Sequence, residues 1–291
     1  GCIGIDTNIY LYNRDIDFSV ESNFSENIDC IGQAGGYCTY GFRRLGKAVG
    51  FIGSVGDDPL GQFIRSELDA MDVDSLLFCD PLGTHRSINF MYRDGRRKNF
   101  YDGKGHMQIK PELQACEAVI KRSRLLHVHL ENWCRDILAL AKKNDVVISC
   151  DLQDMTTVSD PYRADFINYA DVLFFSCVNY PDPTDVINEL RRDHPNRIIV
   201  GGMGSRGCVL ATAQGTIYHE AISLPIPMCD TNGAGDALAV GFLSSHFLEG
   251  FDPSTSIRRA QIGARHKCSN RASPANMIDP ATLQKWIDHL R

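Results

Sequence analysis

Asp230-Thr231-Asn232-Gly233-Ala234-Gly235-Asp236, running directly into Ala237-Leu238-Ala239-Val240-Gly241-Phe242-Leu243, is the stretch on which the reading of this chain turns. The second half looks helical, so Gly233 to Gly235 stand at a helix N-terminus. Three small residues there let the backbone approach a ligand closely. The unpaired N–H groups and the helix dipole favour an anion such as a phosphoryl group. Asp236 then lies beside an anion-binding turn. A carboxylate in a first turn can also serve only as a helix cap, but a cap does not explain why Asp230, Thr231 and a Gly-Ala-Gly turn accompany it.

The rest of the chain sets the frame. Its 291 residues are 43% hydrophobic and 23% charged, which suits one large α/β domain or two small ones and excludes a disordered or fibrous chain. The formal net charge is −6, and no basic stripe is long enough for a polyanion, so nucleic acid is not an expected partner. Arg96-Arg97-Lys98 and Arg258-Arg259 read as a solvated turn and a helix face. No apolar stretch approaches the roughly 20 residues that cross a bilayer, and the first residues lack a signal-peptide pattern, so a cytoplasmic protein is expected. Eleven cysteines is an odd number and none forms a C-x-x-C pair. Reduced thiols are expected, with neither a disulfide framework nor a zinc ribbon. His127 and His129 share one side of an apolar strand, but no third ligand stands in register, so no metal site is expected from them.

Short apolar runs alternate with amphipathic helical patterns, which argues for a largely parallel sheet covered by helices. Strands are expected at 49–53, 125–130, 146–151, 171–175 and 197–201, and helices at 61–71, 136–143 and 184–192. Asp58 and Pro59 supply the start signal of the first helix. Residues 84–101 depart from this pattern, with two extended runs flanking an Asp94-Gly95 turn, a hairpin signal. Together with a polar, strand-like stretch at 9–29, the hairpin predicts a small sheet standing apart from the main body, as a lid or a dimer contact would. The organisation expected is a single domain over 1–291, with lid segments at 9–33 and 84–104.

DTNGAGDALAVGF resembles the C-terminal signature of the PfkB carbohydrate kinases, the family of ribokinase, fructokinase and adenosine kinase. The resemblance implies a ribokinase-like three-layer α/β/α sandwich with a mostly parallel central sheet and a small β-sheet lid. It implies ATP-dependent phosphoryl transfer to a hydroxyl of a sugar or nucleoside, with ATP and Mg²⁺ as cofactors. In these terms Asp236 is the catalytic base, and the amides of Gly233, Ala234 and Gly235 form the anion hole. Phosphoryl transfer needs mainly positioning and charge stabilisation, so the residue types suit the chemistry.

A second segment agrees in order. Gly35-Gly36 open a helical stretch ending near Leu45-Gly46, and Val49-Gly50-Phe51-Ile52-Gly53 leads on to Gly56-Asp57-Asp58-Pro59. This is similar to the family's N-terminal signature, whose double Gly lies against the sugar, so Gly35 and Gly36 are substrate-site candidates. Tyr37 and Tyr40 stand where the family commonly has Asn, which implies a more apolar pocket, with Tyr37 at the substrate. Gly1-Cys2-Ile3-Gly4-Ile5-Asp6 resembles the family's first strand, which ends in an Asp bonded to substrate hydroxyls. Asp6 takes that place, with Asn8 as the alternative register.

Gly202-Met203-Gly204-Ser205-Arg206-Gly207 is a literal G-x-G-x-x-G, but a dinucleotide site needs a helix after it and here a strand-like Cys208-Val209-Leu210 follows. The family carries a T-x-G-x-x-G nucleotide loop at this place, with Gly202 here in the position of the Thr, which implies nucleotide contacts by Gly204, Ser205 and Gly207; Thr231 is a further nucleotide-binding candidate. The family's N-x-x-E element, which organises magnesium through water, maps onto Ser176 and Asn179 and so lacks its acid. Asp151 ends a parallel strand, where α/β sheets place ligands.

Arg93, Arg96, Arg97 and Lys98 fall at the hairpin tip and are expected in solvent. A neutral sugar or nucleoside is therefore preferred as acceptor over a sugar phosphate. A homodimer through the lid is one arrangement that such a separate small sheet allows. Two other readings are a catalytically weak sugar- or nucleoside-binding protein on the same fold and, more distantly, an NAD-dependent oxidoreductase.

Overall fold

The computed structural model describes residues 1–94 and 96–291. The chain opens with two antiparallel strands, β1 (Gly4–Leu11) and β2 (Ser25–Gly32), then helix α1 (Gln33–Arg44). A parallel pair follows, β3 (Gly50–Val55) and β4 (Asp74–Cys79), joined through α2 (Pro59–Ala70). The side chain of Asp58 accepts from the Gly61 N–H at 2.8 Å, and Pro59 opens the helix, as the start signal predicts.

The predicted hairpin is present as β5 (Arg86–Met91) and β6 (Arg97–Asp102), antiparallel to each other. Of its Asp94-Gly95 turn, Gly95 lies outside the described residues. β5 also runs parallel to β1, which gives a separate four-stranded sheet in the order β2-β1-β5-β6. Residues 13–24 connect β1 to β2 by turns and irregular chain, so the stretch at 9–29 is not continuous strand.

The larger sheet is built from α3 (Leu113–Ile120), β7 (Leu125–Val128), α4 (Cys134–Lys143), β8 (Val147–Asp151), α5 (Ala164–Tyr169), β9 (Val172–Ser176), α6 (Thr184–Arg191) and β10 (Ile198–Gly202). β11 (Cys208–Thr212) and β12 (Gly215–His219) complete it antiparallel at one edge, in the order β12-β11-β10-β9-β8-β7. Three helices end the chain, α7 (Ala234–Leu243), α8 (Pro253–Lys267) and α9 (Pro280–His289).

The alternation of side chains along a strand explains the three layers. Leu173, Phe175, Ile199 and Val209 enter one core, with α4, α5 and α6. Val172, Phe174, Val200 and Leu210 enter the other, with α7 and α8. Strands buried on both faces are near-continuously apolar, which is why β9 reads VLFFS. Helix α7 is buried along its length from Ala237 to Leu243. It fits because Gly241 lets it approach α8, where a Cβ would stand 2.7 Å from the Ala260 Cα.

The four-stranded sheet inverts the usual pattern, since its covered side is polar. Asp6, Asn8, Ser87 and Asn89 are buried, whereas Ile88 and Phe100 are exposed on the opposite side. No helix among the described residues is long and apolar enough to cross a membrane.

Candidate active site

The Gly-Ala-Gly turn has the geometry expected of it. Gly233 precedes α7 in the left-handed region at φ 78°, where a side chain is strained. A Cβ there would also stand 2.6 Å from the Tyr37 ring, so glycine is required twice over. Around Gly235 there is open space instead. Of the first N–H groups of α7, that of Ala234 donates to the Thr231 carbonyl at 3.2 Å, whereas that of Gly235 has no backbone partner among the described residues.

Asp230 fixes the loop that leads in. Its Oδ2 accepts from the Tyr10 hydroxyl at 2.5 Å and from the Ala272 N–H at 2.9 Å, and its Oδ1 accepts from the Asn232 N–H at 2.6 Å. One carboxylate thus ties β1 and the segment after α8 to the turn. Behind the turn lies the wholly buried ammonium of Lys267, 5.7 Å from the centroid of the Tyr37 ring.

Asp236 sits in the first turn of α7 and is half-buried. Burial and the nearby Asp151 carboxylate push it up to about 7, while Arg97 pulls the other way and Asp6 adds to the rise. The Cys38 thiol donates to its Oδ1 at 3.8 Å. Asp6 is raised to about 6 by burial, opposed by the Gln33 N–H, Asn232 and Arg97. Burial also raises Asp151. Three carboxyls brought close together at low hydration cannot all ionise as they would in water.

Two clefts' worth of residues meet at this turn. On one side, Asp151, Gly202, Gly204, Ser205, Gly207, Thr231, Ala234 and Gly235 line a cleft of about 710 Å³. Gly204 to Arg206 form a single turn of 3₁₀ helix between β10 and β11, so the G-x-G-x-x-G is a loop between strands. On the other side stands the polar face of the four-stranded sheet. Asn99 Nδ2 donates to Asn89 Oδ1 at 2.9 Å, Asn89 Nδ2 to Asn8 Oδ1 at 3.1 Å, and Asn232 Nδ2 to Asn8 Oδ1 at 3.3 Å. This chain of amides runs from β6 through β5 and β1 to Asn232 in the glycine turn.

Arg97 closes the circuit, its Nη1 donating to Asn232 Oδ1 at 2.6 Å.

Several expectations change on this structure. Asp6 does not end its strand, because β1 continues to Leu11; it is nonetheless buried in the site together with its alternative, Asn8. Arg97 is not simply in solvent, since β6 aims it across the cleft at Asn232. Tyr37 lies under Gly233, its hydroxyl 3.4 Å from Asn232 Nδ2, whereas Tyr40 donates to Glu67 on α2 at 2.9 Å and packs away from the site. Gly35 and Gly36 press α1 onto its neighbours, where a Cβ would meet the Cys2 carbonyl oxygen at 2.2 Å and Ile31 at 3.1 Å.

His127 and His129 do have a third partner, Cys38 on α1. Arg97 and Asn232 were missed because a pair 135 residues apart leaves no spacing in the sequence. Asn232 had one usable signal, its place inside the glycine turn.

The profile of the pfkB family carbohydrate kinases matches residues 39–275. The chain belongs to this family. The kinase is 26% identical over 287 residues to acarbose 7(IV)-phosphotransferase of Actinoplanes sp., spanning 97% of this chain and 95% of that one. It is 27% identical over 265 residues to 5-dehydro-2-deoxygluconokinase of Clostridium perfringens, spanning 79% and 77%. Among solved structures, a microbiome-derived acarbose kinase superposes with a TM-score of 0.89 at 27% identity, over 98% of this chain and 96% of that one. Ribokinase of Arabidopsis thaliana, complexed with ribose and ATP, shares the fold with a TM-score of 0.82 at 18% identity, over 98% and 96%. The chain is thus a carbohydrate kinase of ribokinase-like α/β fold, a phosphotransferase with an alcohol acceptor.

Proposed function

We propose that this kinase transfers the γ-phosphoryl group of ATP to a hydroxyl of an uncharged, polyhydroxylated carbohydrate. The observation that carries the reading is the meeting, at Asp236 and the Gly233–Gly235 turn, of a glycine-lined cleft on one side and an amide-lined pocket on the other. ATP occupies the cleft formed by Gly204, Ser205, Gly207 and Thr231, and the acceptor lies beneath the four-stranded sheet, which serves as a lid over it. The Asp236 carboxylate takes the hydroxyl proton. The oxygen so freed bonds to the γ-phosphorus as the bond to the bridging oxygen breaks, and ADP leaves. Gly233, Ala234 and Gly235 offer N–H groups to the phosphoryl oxygens, and Arg97 adds positive charge from the lid.

Asp6 is the group left to accept from a substrate hydroxyl, and Asn8, Asn89 and Asn232 form the bonded amide face around it. Asp6 Oδ1 is buried without a protein partner among the described residues, an acceptor left for a ligand. Gly35, Gly36 and Tyr37 shape the pocket through the position of α1 and of the turn. A lid that excludes water favours transfer to the sugar over hydrolysis of ATP.

Magnesium fits the oxygen donors of the cleft, but not at the N-x-x-E positions. Ser176 Oγ accepts from the Val178 N–H and Asn179 Nδ2 donates to the Asp154 and Met155 carbonyls, so both are used within the fold. Asp151 is the residue to hold the water shell of Mg²⁺, which neutralises phosphate charge when bound with ATP.

Asp6, Asp151 and Asp236 make the region acidic, which disfavours an acceptor that already carries a phosphate. The relatives that act on acarbose, by name, make acarbose the first acceptor to try. In an ATP-consumption screen with magnesium, the expected result is stoichiometric turnover with acarbose or another neutral sugar. A sugar phosphate outpacing every neutral sugar and nucleoside would overturn the assignment of the acceptor.

The pH dependence tests the base. With Asp236 near 7, kcat/KM should rise with pH through about 7 and then level off, because only the carboxylate accepts a proton. Asp151→Asn removes the like charge that holds this value up and should move the acid limb to lower pH, whatever it does to the plateau. A limb that stays in place would show that Asp151 does not act on the titrating group.

A further inference from the structure

We propose that Cys38, His127 and His129 form a binding site for one soft divalent ion of the zinc class, with the Asp236 carboxylate as the fourth ligand. The Cys38 sulfur and one nitrogen from each histidine all lie within 4.8 Å of one another. Cys38 Sγ is 3.7 Å from His129 Nε2 and 3.8 Å from Asp236 Oδ1. Zinc bonds of about 2.3 Å to sulfur and about 2.0 Å to nitrogen place those two atoms about 3.5 Å apart across a tetrahedral ion. Cys38 and His129 are therefore already near ligand spacing, while the other pairs of the trio, at up to 4.8 Å, and Asp236, which touches Cys38, draw in on binding.

The orientation of the rings supports the same ion. His127 Nδ1 is held by Ser149 Oγ at 3.0 Å, which leaves Nε2 free, and that buried atom has no partner among the described residues. An imidazole fixed through one nitrogen with the other unpaired is the usual state of a metal-ligating histidine. The His127 and His129 rings meet edge to face with centroids 4.8 Å apart, packed by Phe174 on β9. Magnesium does not compete for this set, since hard cations prefer oxygen and a thiolate with two imidazoles selects a softer metal.

An ion held here takes up the carboxylate that the reaction needs as a base, so it inhibits. This consequence rests on the role proposed for Asp236, whereas the binding of the ion does not.

The test is a Co²⁺ titration of the reduced, metal-free kinase, read as a difference against Cys38→Ser because Cys79 and Cys229 are exposed and can bind weakly. One equivalent is expected to give tetrahedral visible absorption and a sulfur-to-cobalt charge-transfer band that Cys38→Ser lacks. His127→Gln should weaken binding at least tenfold. Ser149→Ala, which leaves every ligand in place, should weaken it by about 10-fold or more, and it carries the test if a ligand variant does not fold. An octahedral spectrum, or a charge-transfer band that persists in Cys38→Ser, overturns the site. One equivalent of Zn²⁺ is expected to suppress turnover reversibly, with recovery on adding a chelator. Full turnover with the spectroscopic site filled, in a kinase whose Asp236→Asn variant has lost its turnover, would overturn the contact with Asp236.

Discussion

Asp236→Asn is expected to lower turnover by about 10² or more at saturating acceptor, while the protein folds normally. Asparagine keeps the shape of the side chain, and no side chain caps α7 by a hydrogen bond, so the change removes little but the carboxylate. The stability of the variant provides an independent check. The folded protein holds the Asp236 proton up to about 7, whereas an ordinary aspartate releases it near 3.8. Between those values the native state binds more protons than the unfolded chain, so this group's contribution to stability is lost as pH rises through that window. Asparagine carries no such cost, and Asp236→Asn should be at least as resistant to thermal unfolding as the parent at pH 8. Near-parental turnover would overturn Asp236 as the base.

Arg97→Gln should lower kcat by about 10²-fold and raise the amount of ATP hydrolysed per acceptor phosphorylated. Arg97 reaches the turn from β6, donates to Asn232 at 2.6 Å, and lowers the pKa of both Asp6 and Asp236. Its loss removes positive charge from the proposed phosphoryl site and frees the four-stranded sheet from the turn in a single change. It also lets the Asp236 value climb further, so the acid limb of kcat/KM should move to higher pH, opposite to the shift expected for Asp151→Asn. A merely structural arginine would change thermal stability and leave the limb where it was. An unmoved limb together with unchanged coupling would sink the role.

These two residues differ in how far the sequence reveals them. Asp236 was legible because the turn and the helix that hold it are contiguous, so one stretch displays the small residues, the helix start and the acid together. The same holds for the Asp58 cap, for the strands that read as apolar runs, and for the hairpin of β5 and β6. Each depends on neighbours a few residues away, where backbone sterics and side-chain alternation act. The hairpin could be foreseen, but not what its Arg97 would face.

Contacts across the fold were hidden for a physical reason. The amide chain from Asn99 to Asn232 needs β6, β5, β1 and the turn before α7 to be packed side by side, and no local periodicity encodes that packing. Tyr37 reads as a pocket residue from its place after the double glycine, but nothing near it in sequence announces that its ring lies 2.6 Å from where a Gly233 side chain would begin. His127 and His129 lacked a third ligand until α1 brought Cys38 over them. The sequence by itself determined the family, the layered architecture and the acid at the glycine turn, since these follow from short-range chemistry written along the chain. Only the tertiary structure decided which charges share a cleft, because a carboxylate's hydration and its neighbours' charge arise from burial against residues remote in sequence.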